Sequence, residues 1–214
     1  MVDTVVSTFY LIRHGEAEIN VRPDLWEMTD CRLTERGRAQ VESLAQRLRS
    51  APCGVIYAST MRRARQTADI LASVLHVPLI GAPWLREMNW GDLDHASLAE
   101  IRSTAPGLID AGKHSWDQAF PHGESVRGFY DRVATGIALL LKDPSLPAHV
   151  ALVGHGGSIE VALTCLLELP SLATDRFVID NASLSVVIQR RIVGRVLPML
   201  ALHNDTSHWR AAGL

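Results

Sequence analysis

The chain has 214 residues, with 21 Lys and Arg against 23 Asp and Glu, so its formal charge is −2. This length fits one domain that carries an insertion, and we predict a single domain over residues 1–214. The composition, 47% hydrophobic and 21% charged residues, is typical of a folded protein with a full apolar core. A charge balance this close to neutral argues against non-specific binding to nucleic acid or to a membrane surface.

Cysteine usage and the first residues of the chain bear on where the protein works. Cys31, Cys53 and Cys165 cannot all pair with one another, and none belongs to a Cys-x-x-Cys motif, which predicts reduced thiols. No basic segment precedes a long apolar stretch at the start of the chain, and no apolar run approaches the ~18 residues of a membrane span. We therefore predict a cytoplasmic protein. The sequence leaves a homodimer open.

The first part of the chain alternates apolar runs with helical patterns. The runs predict strands at Val5–Ile12, Gly54–Ala58 and Val77–Ile80. Apolar residues at helical spacing predict a helix over residues 34–49, with Thr34 as its N-cap, and another helix between the second and third strands.

Residues 81–125 interrupt this alternation. They contain Pro83, Pro106, Pro121 and several glycines, and the only helical pattern is a weak one around Leu98–Ser103. Proline and glycine at this frequency are typical of loops. We predict an insertion that lies over the active-site edge of the sheet.

Regular patterns return after the insertion. They predict helices at Val126–Lys142 and Ser158–Leu169, a strand at His149–Val153, and two closing strands at Ser183–Gln189 and Arg195–Leu202 that a turn at Gly194 joins into an antiparallel hairpin. Alternating strands and helices predict an α/β fold with three layers, α/β/α, and a mostly parallel central sheet.

Charged and imidazole side chains follow three of the predicted strands. Arg13 and His14 follow the first strand, Arg63 lies just after the second, and His155 follows the strand at His149–Val153. Ligands of open α/β sheets bind beyond the carboxyl ends of the strands, so these side chains should meet at one edge. A single Arg-His-Gly turn also fits a solvated arginine beside a packed histidine. The convergence of three strand ends favours a functional site instead.

The residue types fit phosphoryl transfer. A phosphoryl group in transfer carries negative charge on its equatorial oxygens. Guanidinium groups match those oxygens with a planar fork and stay charged at all relevant pH values. A neutral imidazole is a competent nucleophile near neutral pH, and a second imidazole can be cationic and add a donor. The chain has no acidic metal cage and no His-Glu-x-x-His stretch, so we predict neither a metal nor a cofactor.

A leaving alkoxide also needs a proton, and Glu87 is the candidate donor. It follows the third predicted strand and has Trp84, Met88 and Trp90 near it in the sequence. An apolar setting raises the pKa of a carboxyl group toward neutrality and keeps it protonated. The alternative is a solvated surface glutamate paired with Arg86.

Several motifs of the chain resemble those of the histidine phosphatase superfamily, which includes cofactor-dependent phosphoglycerate mutases and many small phosphomonoesterases. The resemblance covers nearly the whole chain. The motifs are Arg13-His14-Gly15-Glu16 with Asn20, Leu33–Gly37, Ser59–Ala68, Pro121–Ser125, Gly154–Gly157 and Asn204–His208.

The resemblance implies a role for each of the converging residues. His14 would be the nucleophile that becomes a phosphohistidine, and Glu87 would be the proton donor. The phosphoryl oxygens would be bound by Arg13, by His155 and by Arg63, which aligns with the family's second arginine.

Three more positions are candidates for binding a small phosphorylated substrate. The resemblance points to Asn20, near the phosphate, and to Gly156, in the second-histidine motif. Arg22 is a candidate because it lies on the loop that leaves the nucleophile. Two departures from the family pattern lie in the predicted insertion: Gly91–His95 replaces Gly-x-Trp-Glu-Gly, and His122 replaces a glycine. Both bear on the preferred leaving group.

These observations predict a metal-independent phosphomonoesterase that works through a phosphohistidine. The alternatives are a cofactor-dependent phosphoglycerate mutase and a non-catalytic module that binds a phosphorylated ligand. The insertion disfavours the mutase, because residues 91–120 hold only Arg102 and Lys113 as fixed cations against five Asp and Glu. The chain lacks the Gly-x-Ser-x-Gly elbow of α/β-hydrolases and the P-loop of kinases.

Overall fold

The protein folds around six strands: β1 (Thr4–Arg13), β2 (Val55–Ala58), β3 (Leu79–Gly81), β4 (His149–Gly154), β5 (Leu184–Ile192) and β6 (Arg195–Asp205). In the computed structural model, which describes residues 4–22, 24–25, 27–104, 116–170 and 176–214, they form one sheet in the order β3-β2-β4-β1-β5-β6. The pairs among β1 to β4 are parallel, whereas β5 runs antiparallel to both β1 and β6. The predicted mostly parallel sheet is confirmed.

Helices cover the sheet on both faces. They are α1 (Glu35–Leu48), α2 (Arg62–Leu75), α3 (Leu98–Thr104), α4 (Val126–Leu141), α5 (Gly156–Leu166) and α6 (Ser207–Arg210), with short 3₁₀ helices at Glu18–Val21, Pro83–Leu85 and Gly91–Leu93. Among the described residues, no helix combines the length and the apolarity that a membrane crossing requires.

Successive side chains of a strand point to opposite faces of the sheet, and this divides the apolar core into two layers. Phe9 and Leu11 of β1 belong to a buried cluster with α4 and α5, whereas Ile12 belongs to a second cluster with α1 and α2. Successive side chains of a strand point to opposite faces, so a strand that is apolar throughout must be covered on both sides. The predicted three-layer α/β/α architecture follows from this pattern.

Several boundaries differ from the sequence-based prediction: β3 covers Leu79–Gly81 rather than Val77–Ile80, and β5 and β6 each end three residues later than predicted. The helix predicted from Ser158 begins at Gly156, because His155 is its N-cap and the His155 backbone N–H donates to Ser158 Oγ at 2.9 Å. It ends at Leu166, and Glu168 beyond it takes a left-handed φ of 55°. The predicted closing hairpin is present as β5 and β6.

A third apolar cluster attaches the insertion to the helical layer. Its buried residues are Met88, Leu93, Ile101 and Phe120 from the insertion, with Phe129 and Val133 from α4 and Val161 from α5. Isolated bridges also join Leu25 to Ser97 and Glu27 to Asp94, so the loop after β1 touches the insertion. Residues 105–115 of the predicted insertion lie outside the described residues.

Candidate active site

The parallel pairing of β1 and β4 brings two histidines to the same edge. Arg13, the last residue of β1, lies opposite Gly154, the last residue of β4, so the residues that follow them are neighbours. His14 and His155 are both buried, and their ring centroids lie 5.1 Å apart. Arg63, in the first turn of the helix after β2, lies between the two rings and is only 2% exposed.

The hydrogen bonds of His14 fix its tautomer. Its Nδ1 lies 2.7 Å from the carbonyl oxygen of Gly15, which can only accept, so Nδ1 carries the hydrogen. The lone pair of the neutral ring is therefore on Nε2. Arg63 Nε donates to this atom at 3.2 Å. The structure thus presents an unprotonated Nε2 in the centre of the site.

His155 is held by hydrogen bonds at both ring nitrogens. Arg63 Nε donates to His155 Nδ1 at 3.2 Å, and because a guanidinium has no acceptor, Nδ1 is unprotonated. The hydrogen is then on Nε2, which donates to Ser59 Oγ at 2.8 Å. The Ser59 hydroxyl also accepts from the Met61 backbone N–H. The lone pairs of both histidines therefore face one N–H group of Arg63.

The rest of the Arg63 guanidinium is bound by the loop that follows β1. Nη1 donates to the Met28 carbonyl at 2.9 Å and to the Thr29 carbonyl at 3.3 Å, and it contacts Cys31 Sγ at 3.3 Å. Nη2 pairs with the buried Glu27 carboxylate at 3.3 Å. These contacts fix the position of the charge. The sequence analysis did not single out Glu27, because nothing in its local sequence distinguishes it from a surface glutamate.

Burial and positive charge act together on the two imidazoles. The pKa of His14 is well below its ordinary value, mainly because burial disfavours the charged ring, and also because Arg63 and Arg13 repel an added proton. The pKa of His155 is lowered by the same causes, with burial the largest. Both rings are therefore neutral in the ligand-free site. The sequence analysis allowed a cationic second imidazole, which this site does not favour until it holds an anion.

Arg13 adds a second guanidinium with an unused donor. Its Nη1 donates to the Ile179 carbonyl at 2.6 Å, whereas its buried Nε has no hydrogen-bond partner among the described residues. A Cβ placed on Gly156 would meet Arg13 Cζ at 4.0 Å, so the N-terminus of α5 lies beside this guanidinium. A free buried donor next to a helix N-terminus is suited to an anion.

Close packing of α1 holds the loop that carries His14. A Cβ on Gly37 would lie 1.9 Å from the Glu16 carbonyl oxygen, so only glycine lets the start of α1 approach this loop. The Gly15 N–H donates to Thr67 Oγ1, and the Glu16 N–H donates to Gln40 Oε1. The nucleophile candidate therefore rests on a rigid segment.

The carboxyl group of Glu87 contacts the first turn of α5, the helix that begins directly after His155. Its Oε2 accepts from the Gly157 N–H and its Oε1 accepts from the Met88 N–H, each at 3.1 Å. Burial raises the pKa of the carboxyl group above its ordinary value, although these two hydrogen bonds oppose the shift. The alternative of a solvated ion pair with Arg86 is not what the structure has, since the Arg86 guanidinium donates to Thr60 Oγ1.

An ion pair that the sequence analysis missed supports the backbone of Glu87. Arg132 of α4 donates to the carbonyl oxygens of Trp84, Arg86 and Glu87 at 3.0, 3.1 and 3.3 Å. Its Nε and Nη2 donate to both oxygens of Glu124 at 2.7 and 2.8 Å. The Pro121–Ser125 motif contains Glu124, but no local signal links it to Arg132 or to residues 84–87.

Asn20 reaches the site through a second asparagine. Asn20 Oδ1 accepts from the Ala17 N–H at 2.9 Å and from Asn181 Nδ2 at 3.1 Å. Asn181 Nδ2 also donates to the His14 carbonyl at 3.2 Å. Asn181 precedes β5 and was not among the sequence-based candidates.

The remaining candidates lie at the surface. Arg22 forms an exposed ion pair with Asp24 at 2.9 Å, and the structure shows no hydrogen bond from it to the histidines. The two positions at which the chain departs from the family pattern are in contact, because His122 Nδ1 lies 2.9 Å from Asp92 Oδ1. Within the described part of the chain, no three His, Cys, Asp or Glu side chains are grouped as a metal site.

The fold and this site define a class of α/β proteins in which paired histidines and arginines meet at the carboxyl edge of a parallel sheet. A family model, the histidine phosphatase superfamily (branch 1), matches residues 9–197. The chain belongs to this superfamily, as its motifs predicted. The probable phosphoglycerate mutase GpmB of Proteus mirabilis is 33% identical over 184 residues, which are 83% of each chain.

Solved structures with this fold include two named as phosphatases. The alpha-ribazole phosphatase of Shigella flexneri has a TM-score of 0.81 and 25% identity, covering 93% of this chain and 96% of that chain. A mycobacterial glucosyl-3-phosphoglycerate phosphatase has a TM-score of 0.77 and 27% identity, covering 92% and 98%. The names of the similar proteins thus refer to two different reactions, that of a phosphoglycerate mutase and that of a phosphatase.

Proposed function

We propose that the protein is a metal-independent phosphomonoesterase that hydrolyses a small phosphorylated metabolite through a phosphohistidine on His14. The observation that carries this proposal is the neutral His14 ring, whose Nε2 lone pair faces a fixed guanidinium. A nucleophile must be unprotonated, and a phosphoryl group needs positive charge beside it. Arg63 supplies that charge within hydrogen-bonding distance of the same atom.

In the first step, His14 Nε2 attacks phosphorus and the bond from phosphorus to the ester oxygen breaks. Glu87 gives its proton to the leaving oxygen, so the product is a neutral alcohol. Arg13, Arg63 and the Gly156 N–H bind the phosphoryl oxygens. A dianion in the site offsets the repulsion by the arginines, which adds to the effect of burial in lowering the pKa of His155, and its own charge favours a protonated ring that donates as well.

In the second step, Glu87 is a carboxylate and acts as the base. It accepts a proton from a water molecule whose oxygen attacks the phosphohistidine. The bond from nitrogen to phosphorus breaks, inorganic phosphate leaves, and His14 Nε2 regains its lone pair. Glu87 is then protonated again, so one ester and one water have become one alcohol and one phosphate.

A rapid-quench experiment with labelled p-nitrophenyl phosphate tests this proposal. We expect an acid-labile, base-stable adduct on His14 that forms and decays at rates compatible with turnover. H14A should form no adduct and lose nearly all activity. H76N is the matched control, because His76 is exposed and its left-handed φ of 57° suits asparagine. Full turnover by H14A would show that His14 is not the nucleophile.

The alternative activity is that of a phosphoglycerate mutase, which the name of the 33% identical relative favours. A mutase must retain its bisphosphate intermediate and exclude water, which calls for a basic cover over the site. Among the described residues of the stretch 91–120, the one fixed cation is Arg102, which is exposed on α3, against Asp92, Asp94, Glu100 and Asp117. A segment with this excess of negative charge is poorly suited to retaining a bisphosphate, which favours hydrolysis over the mutase reaction.

Phosphoglycerate supplied with and without a bisphosphoglycerate primer separates the two reactions. We expect phosphate release that does not depend on the primer, with slow or no interconversion of the isomers. Primer-dependent interconversion that outpaces phosphate release would assign the mutase reaction instead. Both outcomes retain a phosphohistidine, so this experiment tests only the second half of the cycle.

A further inference from the structure

Glu87 lies on the wall of a cavity of about 310 Å³ between α4 and α5. We call this the side cavity. The other carboxyl group on its wall is that of Glu160, Gly157 completes the polar part, and six apolar or aromatic side chains form the rest: Met88, Trp90, Val126, Phe129, Tyr130 and Val161. An acid that protonates the leaving oxygen must touch it, so the leaving group begins at the carboxyl group of Glu87.

The carboxyl group of Glu87 borders two cavities, and its Oε2 atom contacts a residue that lines the side cavity alone. Its Oε2 accepts from the Gly157 N–H, and Gly157 lines the side cavity but not the neighbouring cavity that also includes Glu87. That neighbour is polar and contains Arg86 and Arg132, the two groups that an anionic leaving group would seek. Arg132 is already bound by Glu124 and by carbonyl oxygens.

Among the described residues that line the side cavity, none carries a positive charge that could balance a negative one. No Lys, Arg or His is among the described residues that line it, and its ionisable lining groups are two carboxyls and one phenol. The pKa of Tyr130 is raised to about 12, mainly by burial, so the phenol is neutral. The guanidinium of Arg132 lies over the Phe129 ring, 5.3 Å from its centroid, but is paired with Glu124. A carboxylate or second phosphate placed here would be unpaired and close to Glu160.

The shape and chemistry of the wall suit an apolar ring. Trp90, Phe129 and Tyr130 offer aromatic faces, which gain contact area and stacking with a planar or cyclic group. We propose that the leaving group of the natural substrate is an uncharged alcohol with an apolar, ring-containing body that occupies the side cavity. This inference rests on the proposed function, because it assumes that Glu87 protonates the leaving group.

Three phosphomonoesters that differ only in the leaving group test the inference. Benzyl phosphate carries an apolar ring, ethyl phosphate lacks the ring, and para-carboxybenzyl phosphate adds one remote carboxylate. The alcohols of the two benzyl esters are almost equally good leaving groups, because the carboxylate is separated from the reacting oxygen. We expect kcat/KM for benzyl phosphate to exceed each of the other two by about tenfold or more.

Two charge-changing variants of the cavity wall and one uncharged control test the charge argument. V126K brings an ammonium group to the wall and should reduce the ratio of kcat/KM for benzyl over para-carboxybenzyl phosphate by about tenfold. V126M, its uncharged control of similar length, should keep the ratio within about twofold of wild type. E160Q removes a negative charge but keeps the acceptor for the Arg176 N–H, and should reduce the ratio by about threefold.

The outcomes separate this inference from the proposed function. If the three esters are turned over equally, or the carboxylated ester is preferred, while a phosphohistidine still forms, the inference is overturned and the phosphatase stands. If V126K folds, as circular dichroism would report, and leaves the ratio unchanged, the cavity is not the leaving-group site. If neither phosphate release nor an adduct is found with any ester, both fail together.

Discussion

Two shifted pKa values determine the pH range in which the site can work. His14 must be neutral, and its lowered pKa keeps it neutral in mildly acidic solution, so activity should fall only as the pH drops through that lowered value. Glu87 must be protonated, and its raised pKa means that activity should fall as the pH rises through that raised value. We expect a bell-shaped profile of kcat/KM against pH, with its maximum on the acidic side of neutrality.

E87Q should remove the alkaline limb of this profile, because an amide does not give up a proton in this range. The loss in kcat should be about a hundredfold or more with alkyl phosphates and less than about tenfold with p-nitrophenyl phosphate, whose leaving group needs little protonation. E42Q, at an exposed position of α1, is the control. Equal losses on both kinds of substrate would remove Glu87 from the acid role.

The neighbouring glycines of α5 allow a sharper test of the same group. A Cβ on Gly157 would lie 2.7 Å from Glu87 Oε1 and 3.2 Å from the Phe129 ring, so G157A should displace the carboxyl group. We expect a loss of about tenfold to a hundredfold with alkyl phosphates. G156A has room for its methyl group and should keep the wild-type dependence on the leaving group. Steady-state kinetics on alkyl and p-nitrophenyl phosphates would detect the difference.

At the level of elements, α4 supports the segment that carries Glu87. R132A removes the donors of four carbonyl groups, those of residues 83, 84, 86 and 87, and leaves Glu124 without its guanidinium, which should reduce the free energy of unfolding by about 1–3 kcal/mol. It should also reduce kcat more with alkyl phosphates than with p-nitrophenyl phosphate, since the position of the acid is disturbed. R132K should recover only part of this loss, because an ammonium group cannot reproduce the planar fork.

The control lies on the same helix. Arg127 pairs with Asp117, and both side chains are exposed, so R127A should change the free energy of unfolding by less than about 0.5 kcal/mol. Denaturant unfolding of the three variants measures both effects. A loss for R132A no larger than that for R127A would contradict the supporting role of the Arg132–Glu124 pair.

The strands and the residues directly after them could be predicted from the sequence, because apolar runs define the strands and parallel strands share one carboxyl edge. These two patterns were enough to predict that His14, Arg63 and His155 lie at one site. The contacts made by Glu27, Asn181 and the Arg132–Glu124 pair could not be predicted, since each joins residues far apart in the chain and depends on how side chains pack. For Arg22 the sequence suggested a contact that is not made. Its position on the loop after the nucleophile suggested that it binds the substrate, but its guanidinium pairs with Asp24.

At the level of the whole molecule, the positive charge of the site comes from guanidinium groups fixed by the fold. Arg63 is bound through all three of its nitrogens, so its charge cannot swing away from the phosphoryl group. We expect activity to survive exhaustive treatment with EDTA, measured as phosphate release before and after dialysis. Loss of activity that Mg²⁺ or Zn²⁺ restores would mean that these guanidinium groups do not suffice.

The order of the strands has a consequence for how the protein is made. β4 lies between β1 and β2, yet it is the fourth strand to be synthesised. Until His149–Gly154 leaves the ribosome, β1 and β2 have no partner that joins them, and the backbone edges that pair with β4 have no hydrogen-bond partner. A nascent chain that stops before β4 should therefore depend on chaperones, and the emergence of this one strand should join β1 to β2 and so bring the two parts of the catalytic edge side by side.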